Sequence, residues 1–297
     1  MASKAPIGLS NLPNEIILHI LRLFSTRDLL PLTLLSKRIH DLILSLIYQR
    51  LIALPSLPTR KVVLECYHPS AKLSTPYFFC DYLSTDVLPT HSLSSLRNLY
   101  SHFRPTPPEG DRKVWRPRPS GGWSWVPISD VIGDREEELV AQDVYLESHE
   151  LFSQLQCVVN VVETGIRKDL FLNCVTVGEG LVRVWREWLA ERAECTVLRS
   201  GEGKVDNEHS KEREKEGEKG SGLLWSDTEK HVGLKLRVIE RQDERIPVLI
   251  SRDEDPNVGY TLQYEELVVR STQLLLMMED SLDREIGNSG KAVVIVS

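Results

Sequence analysis

One stretch, Leu9 to Leu54, is so rich in leucine and isoleucine that it limits what the whole chain can fold into. In residues 14–24, NEIILHILRLF, Ile16, Ile20, Leu23 and Phe24 recur at helical spacing, and Ile17 and Leu21 widen the apolar face. Glu15, His19 and Arg22 are what remains for water. Pro13 suits a first helical turn, where a missing N–H has no partner to lose. Ser25 and Asp28 next form the pattern of a capping box, which would start a second helix at Ser25 and put Pro31 inside it. A cap at Asp28 leaves Pro31 in the first turn, where it costs little, so the second helix is expected to begin there. A third helix is expected from about Lys37 to Leu54, with Ile39, Leu42, Ile43, Leu46, Ile47 and Leu51 on one side and Pro55 as the stop.

A helical piece this small, apolar on nearly every face, cannot bury all its leucines and isoleucines against itself. The surplus must meet either the rest of the chain or another protein. A binding module follows from the second possibility, and a subdomain packed wholly on its neighbour from the first.

The same residues resemble an F-box, the adaptor-docking motif of cullin–RING ubiquitin ligases. Leu12-Pro13 with Glu15-Ile16 is similar to that family's opening, Ile20-Leu21 to its first helix, and Asp28-Leu29 to its middle. Leu35-Ser36-Lys37 and Leu42 are similar to its end, while Pro31 and Ile39 depart from the commoner pattern. The resemblance implies docking of a Skp-family adaptor through Leu12, Pro13, Glu15, Ile16, Ile20, Leu21, Leu29 and Leu35, and through it a cullin–RING scaffold. It covers residues 8–54 and leaves the remainder of the chain unassigned.

With 297 residues, the chain has room for a second, larger domain beyond a short linker at 55–60. Net charge is −7, which argues against a chain devoted to nucleic acid. Residues 1–60 carry a balance of +4 and the rest −11, so the helical module should be steered towards an acidic partner. No apolar run reaches membrane-spanning length, and the N-terminus lacks a signal-peptide layout, so a cytoplasmic or nuclear protein without membrane contact is expected. Cys66, Cys80, Cys157, Cys174 and Cys195 show no metal-ligand spacing; they read as small buried hydrophobes in a reducing compartment.

Beyond residue 60 the helical period gives way to strands. Lys61–Tyr67, Pro76–Leu83, Gln156–Val162 and Asp169–Val177 are strand candidates, with Gly178-Glu179-Gly180 as a hairpin turn and Leu181–Trp188 returning from it. Val232–Val238, Ile246–Ile250, Tyr260–Tyr264, Leu267–Met278 and Ala292–Val296 complete the set. Leu93–Phe103 reads as a short helix and Pro105–Arg118 as an exposed, proline-rich loop. Ser200–Gly222, almost purely charged and small, reads as a disordered surface loop. The expected architecture is α+β and multidomain: a small three-helix module, then a mainly antiparallel β-sandwich or jelly-roll-like domain over 61–297.

Trp115, Trp123 and Trp125 lie among Arg112, Lys113, Arg116 and Arg118. Such interleaving can stack on a ligand, and Trp123 with Trp125 can equally fill one face of a strand. If the β domain holds a target, these tryptophans are the expected contacts. Ser148-His149-Glu150 is no triad, and Asp253, Asp255 and Asn257 miss the calcium-loop spacing at Gly259 and Tyr264. No catalytic residue, metal site or cofactor is expected. The function expected is that of a non-catalytic receptor subunit of an SCF-type ligase. Two alternatives remain open at this point: an adaptor-binding scaffold that delivers nothing for ubiquitination, and a carbohydrate- or nucleotide-active enzyme with a helical head.

Overall fold

The computed structural model describes residues 12–54, 60–69, 72, 75–87, 92–107, 113–117, 123–127, 139–164, 171–201, 222–241 and 258–287. Three helices open it: α1 (Asn14–Leu21), α2 (Thr26–Leu32) and α3 (Lys37–Ala53). The cap of α2 is Ser25, not Asp28. The Ser25 hydroxyl accepts the Asp28 N–H at 3.2 Å and donates to the Asp28 carboxylate at 2.7 Å. Pro31 therefore sits inside α2, where it withholds one ladder hydrogen bond. The helix ends one residue later, in the tighter bonds Thr33 N–H to Leu30 C=O and Leu34 N–H to Pro31 C=O. So short a helix loses little to its proline. The cap of α3 is Ser36, whose hydroxyl accepts from the Ile39 N–H.

The strands are β1 (Arg60–Tyr67), β2 (Phe78–Thr85), β3 (Tyr100–Thr106), β4 (Lys113–Pro117), β5 (Trp123–Pro127), β6 (Ala141–Leu146), β7 (Phe152–Thr164), β8 (Phe171–Trp185), β9 (Leu223–Trp225), β10 (Val232–Arg241) and β11 (Val258–Arg270). Three further helices are α4 (Leu93–Arg97), α5 (Arg186–Gly201) and α6 (Ser271–Gly287). All but β4 and β5 join one antiparallel sheet in the order β8-β7-β1-β2-β3-β11-β10-β9, with β6 extending β3's side of β11. The ends of that order meet, so the sheet curls into a nearly closed barrel or sandwich-like shell. At the meeting point a Cβ on Gly180 would lie 2.1 Å from the Ser226 carbonyl oxygen, just after β9. Glycine is what lets β8 approach that backbone.

This corrects the sequence reading of Gly178-Glu179-Gly180: β8 runs straight through all three residues to Trp185. Leu93–Phe103 is likewise not one helix. A Ser92–Ser95 capping box starts α4, Asn98 ends it, and Phe103 is buried in β3. Pro105 lies within β3 and Lys113–Pro117 forms β4, so Pro105–Arg118 is not a plain loop. Leu267–Met278 divides between β11 and α6, and α5 takes over where Leu181–Trp188 was expected to continue as strand. Residues 202–221, 246–250 and 292–296 lie outside the described residues. No described helix is long and apolar enough to cross a membrane.

The interior of the shell is apolar and holds Cys66, Cys80, Cys157 and Tyr264. Cys66 and Cys157 are direct cross-strand partners of β1 and β7. All five cysteines are free thiols; Cys195 is exposed and Cys174 half-buried. Burial raises the Cys80 thiol, and a hydrogen bond to Cys66 together with burial raises Cys157. Burial also raises Cys174, so its reactive thiolate is scarcer than an open thiol's at any pH below its pKa. Titration of the native protein with a chromogenic disulfide reagent at mildly alkaline pH is therefore expected to label Cys195 quickly, Cys174 more slowly and the other three only after unfolding.

Candidate adaptor-docking surface

The helical head has its own small core, which it shares with the barrel domain. Ile17, Leu21, Leu29, Ile43, Ile47 and Leu51 are buried together with Leu96 and Leu99 from the α4 region and Leu275 of α6. Each such leucine contributes about 2 kcal/mol of burial. Two arginines of α3 hold the ends of α1. Arg38 donates to Asn14 Oδ1 at 2.8 Å and to the Leu12 carbonyl at 2.6 Å. Arg50 donates to the carbonyls of Arg22 and Phe24 at the other end.

Arg50 also meets α6. Its Nη1 lies 3.0 Å from Glu279 Oε1, and the same carboxylate accepts the Thr26 N–H at 2.7 Å and the Thr26 hydroxyl at 2.8 Å. Glu279 thus supplies a negative charge to the start of α2 from a helix of the other domain. Arg27 pairs with Asp280 beside it at 2.9 Å. Part of the positive balance of the N-terminal region is therefore spent within the chain and is not presented to a partner.

What the head leaves uncovered is apolar. Ile16 and Ile20 are exposed on α1, and Leu23 and Phe24 continue their face past the end of that helix. After α2, Leu34 is 89% exposed and Leu35 65%. Neighbouring leucines differ completely: Leu29 is 0% exposed, Leu30 43%. The residues expected from sequence therefore fall into two groups. Pro13, Glu15, Ile16, Ile20 and Leu35 lie on the surface and Leu12 is half-buried, whereas Leu21 and Leu29 sit inside and shape the surface from beneath. Leu23, Phe24 and Leu34 are exposed too, whereas the partly exposed Leu30 lines a groove with Leu96 and Leu275. The signal for Leu30 and Leu34 is the run LLPLTLL, which holds more leucine than a seven-residue helix can bury.

Residues 9–53 match the family model described as F-box-like. The N-terminal head is an F-box-like domain. Domains of this type generally bind Skp-type adaptors. No curated protein and no solved structure matches the chain.

Trp115, Trp123 and Trp125 lie apart from the large sheet, in the hairpin β4–β5, where Trp115 is the register partner of Trp125 and Pro117 that of Trp123. The side chains of this hairpin are outside the described set. Ser148-His149-Glu150 falls in the connection between β6 and β7, with His149 paired to Glu147 in the open. Asp253, Asp255 and Asn257 fall outside the described residues.

Proposed function

We propose that this chain is a receptor subunit of an SCF-type cullin–RING ubiquitin ligase. The F-box-like head docks a Skp-family adaptor, the adaptor connects to the cullin and its RING partner, and the barrel domain recruits a target protein. The observation that carries this reading is the exposed apolar face of the head. Ile16, Ile20, Leu23, Leu34 and Leu35 stay open although the chain buries the other side of the same helices on Leu96, Leu99 and Leu275. So many large apolar side chains left open on so small a module mark a protein interface. The chain itself needs no reactive group, because the conjugating enzyme brings the chemistry.

The test is co-purification of the full chain with a Skp-family adaptor. Wild type is expected to form a 1:1 complex. Leu34→Asp/Leu35→Asp is expected to weaken it by at least about tenfold, since it places charges into a desolvated contact while leaving the folded monomer's stability unchanged. Leu12→Ala/Pro13→Ala should weaken it less, because the Leu12 carbonyl and side chain also brace α1 against α3. A folded wild-type chain that fails to bind would sink the proposal. Ubiquitin transfer to captured partners in a reconstituted ligase separates a receptor from a scaffold.

A further inference from the structure

Among the described residues, β6 and the start of β7 border an open groove in the shell. These strands are consecutive, joined by residues 147–151, and they do not pair with each other. β7 pairs with β8 along its length but with β1 only from Gln156 onward. β6 pairs with β11 through one edge. Among the described residues, no strand pairs with the first four residues of β7 on β1's side or with the outer edge of β6.

The backbone direction follows from two hydrogen bonds. The Arg186 N–H donates to the Leu151 carbonyl, so odd-numbered residues at the start of β7 bond to β8. Alternation turns the N–H and C=O of Phe152 and Gln154 into the groove. The Tyr264 N–H donates to the Val140 carbonyl, so even-numbered residues of β6 bond to β11. Asp143 and Tyr145 turn theirs into the same groove. It has a volume of about 740 Å³, with His68, just past the end of β1, among its lining residues.

Apolar rims border it. Tyr145 and Leu151 are exposed, and Phe152 packs on the half-exposed Trp185 with ring centroids 4.9 Å apart. Asp143, Glu147 and Glu150 line the groove, and among the described residues no lysine or arginine does. Arg241 holds Asp143, and Arg186 donates to the carbonyls of Glu147 and Glu150. The Glu150 carboxylate accepts the Glu147 N–H and that of Glu147 lies 3.7 Å from His149; both contacts are exposed at the β6–β7 connection, where the two carboxylates set a negative charge.

We infer that this groove takes an extended peptide segment of a partner protein, added as a strand antiparallel to β7 and carrying a basic side chain towards Glu147 and Glu150. Backbone pairing with two edges supplies the affinity, and the rims beside Tyr145, Leu151 and Phe152 read alternate side chains of the segment. The segment continues the line of β1 and completes the ladder that β1 leaves unfinished at Tyr67. The inference deepens the receptor reading and rests on it for calling the partner a target.

The experiment uses the full chain bound to its adaptor and a phage-displayed library of random linear twelve-residue peptides. Enriched sequences are expected to carry lysine or arginine near one end. Their synthetic forms should slow amide hydrogen exchange at Asp143, Tyr145, Phe152 and Gln154. N-methylation at alternate peptide residues should cost about tenfold or more in affinity. Tyr145→Pro should cost a similar factor, because it removes a groove-facing N–H that β11 does not use, and it should leave adaptor binding intact. The methylated peptides give the same answer with wild-type protein if that variant fails to fold. No enriched peptide, affinity indifferent to N-methylation, or groove amides already protected in the free chain would each overturn the inference. Loss of adaptor binding by wild type would instead overturn the receptor reading, whatever the peptides do.

Discussion

Glu279→Ala is expected to destabilise the chain by about 3 kcal/mol and to loosen the F-box-like head from the barrel. The carboxylate accepts from the Thr26 N–H, the Thr26 hydroxyl and the Arg50 guanidinium, and its side chain and that of Arg50 are about four-fifths buried. Removing it takes the counter-charge from a partly buried arginine and the acceptor from a helix-start N–H together, which is worse than losing one neutral hydrogen bond. Asp280→Ala is the control. Its partner Arg27 is mostly in water, so the pair contributes well under about 1 kcal/mol. Denaturant titration of both variants should show a large shift in midpoint for the first and almost none for the second. Equal shifts would mean that Glu279 is not the clamp.

Gly180→Ala is expected to cost as much by a different route. Its Cβ would lie 2.1 Å from the Ser226 carbonyl oxygen and 3.0 Å from the Ser226 Cβ. Backbone cannot swing aside as a long side chain can, so the seam between β8 and the β9–β10 turn has to open. Overpacking of this kind costs about 3 kcal/mol, or roughly 6–12 °C in thermal midpoint for a domain of this size. Gly178→Ala meets the Val232 methyl at 2.7 Å and should be milder, because a side chain can rotate away. A Gly180→Ala protein as stable as wild type would show that the seam is not closed in solution.

The helical head was legible because its apolar positions repeat every three to four residues and polar residues with cap chemistry separate the runs. The same logic chose Asp28 over Ser25, because it weighed Pro31 without knowing that Glu279 would fasten Thr26 from far along the chain. Helices α5 and α6 escaped notice for one shared reason. Each follows its strand with no turn between, Trp185 into Arg186 and Arg270 into Ser271, so neither glycine nor proline marks the change. Only the spacing changes, from alternation to Leu274, Leu275 and Met278. Gly178 and Gly180 misled in the opposite sense: in a single chain a glycine for a turn looks like a glycine for close contact. At the candidate site, composition showed that the head holds more leucine than it can bury on itself, but which of Leu29 and Leu30 faces water depends on α3 and α6.

The direct passage from β11 into α6 has a mechanical consequence. The first half of β11 supports β6, and the helix that continues from its other end grips the head through Leu275 and Glu279. A strand that runs directly into a helix therefore links the groove to the buried side of the head. On the proposed receptor reading, this direct link sets how far a captured protein hangs from the incoming ubiquitin, and so which of its lysines come within reach.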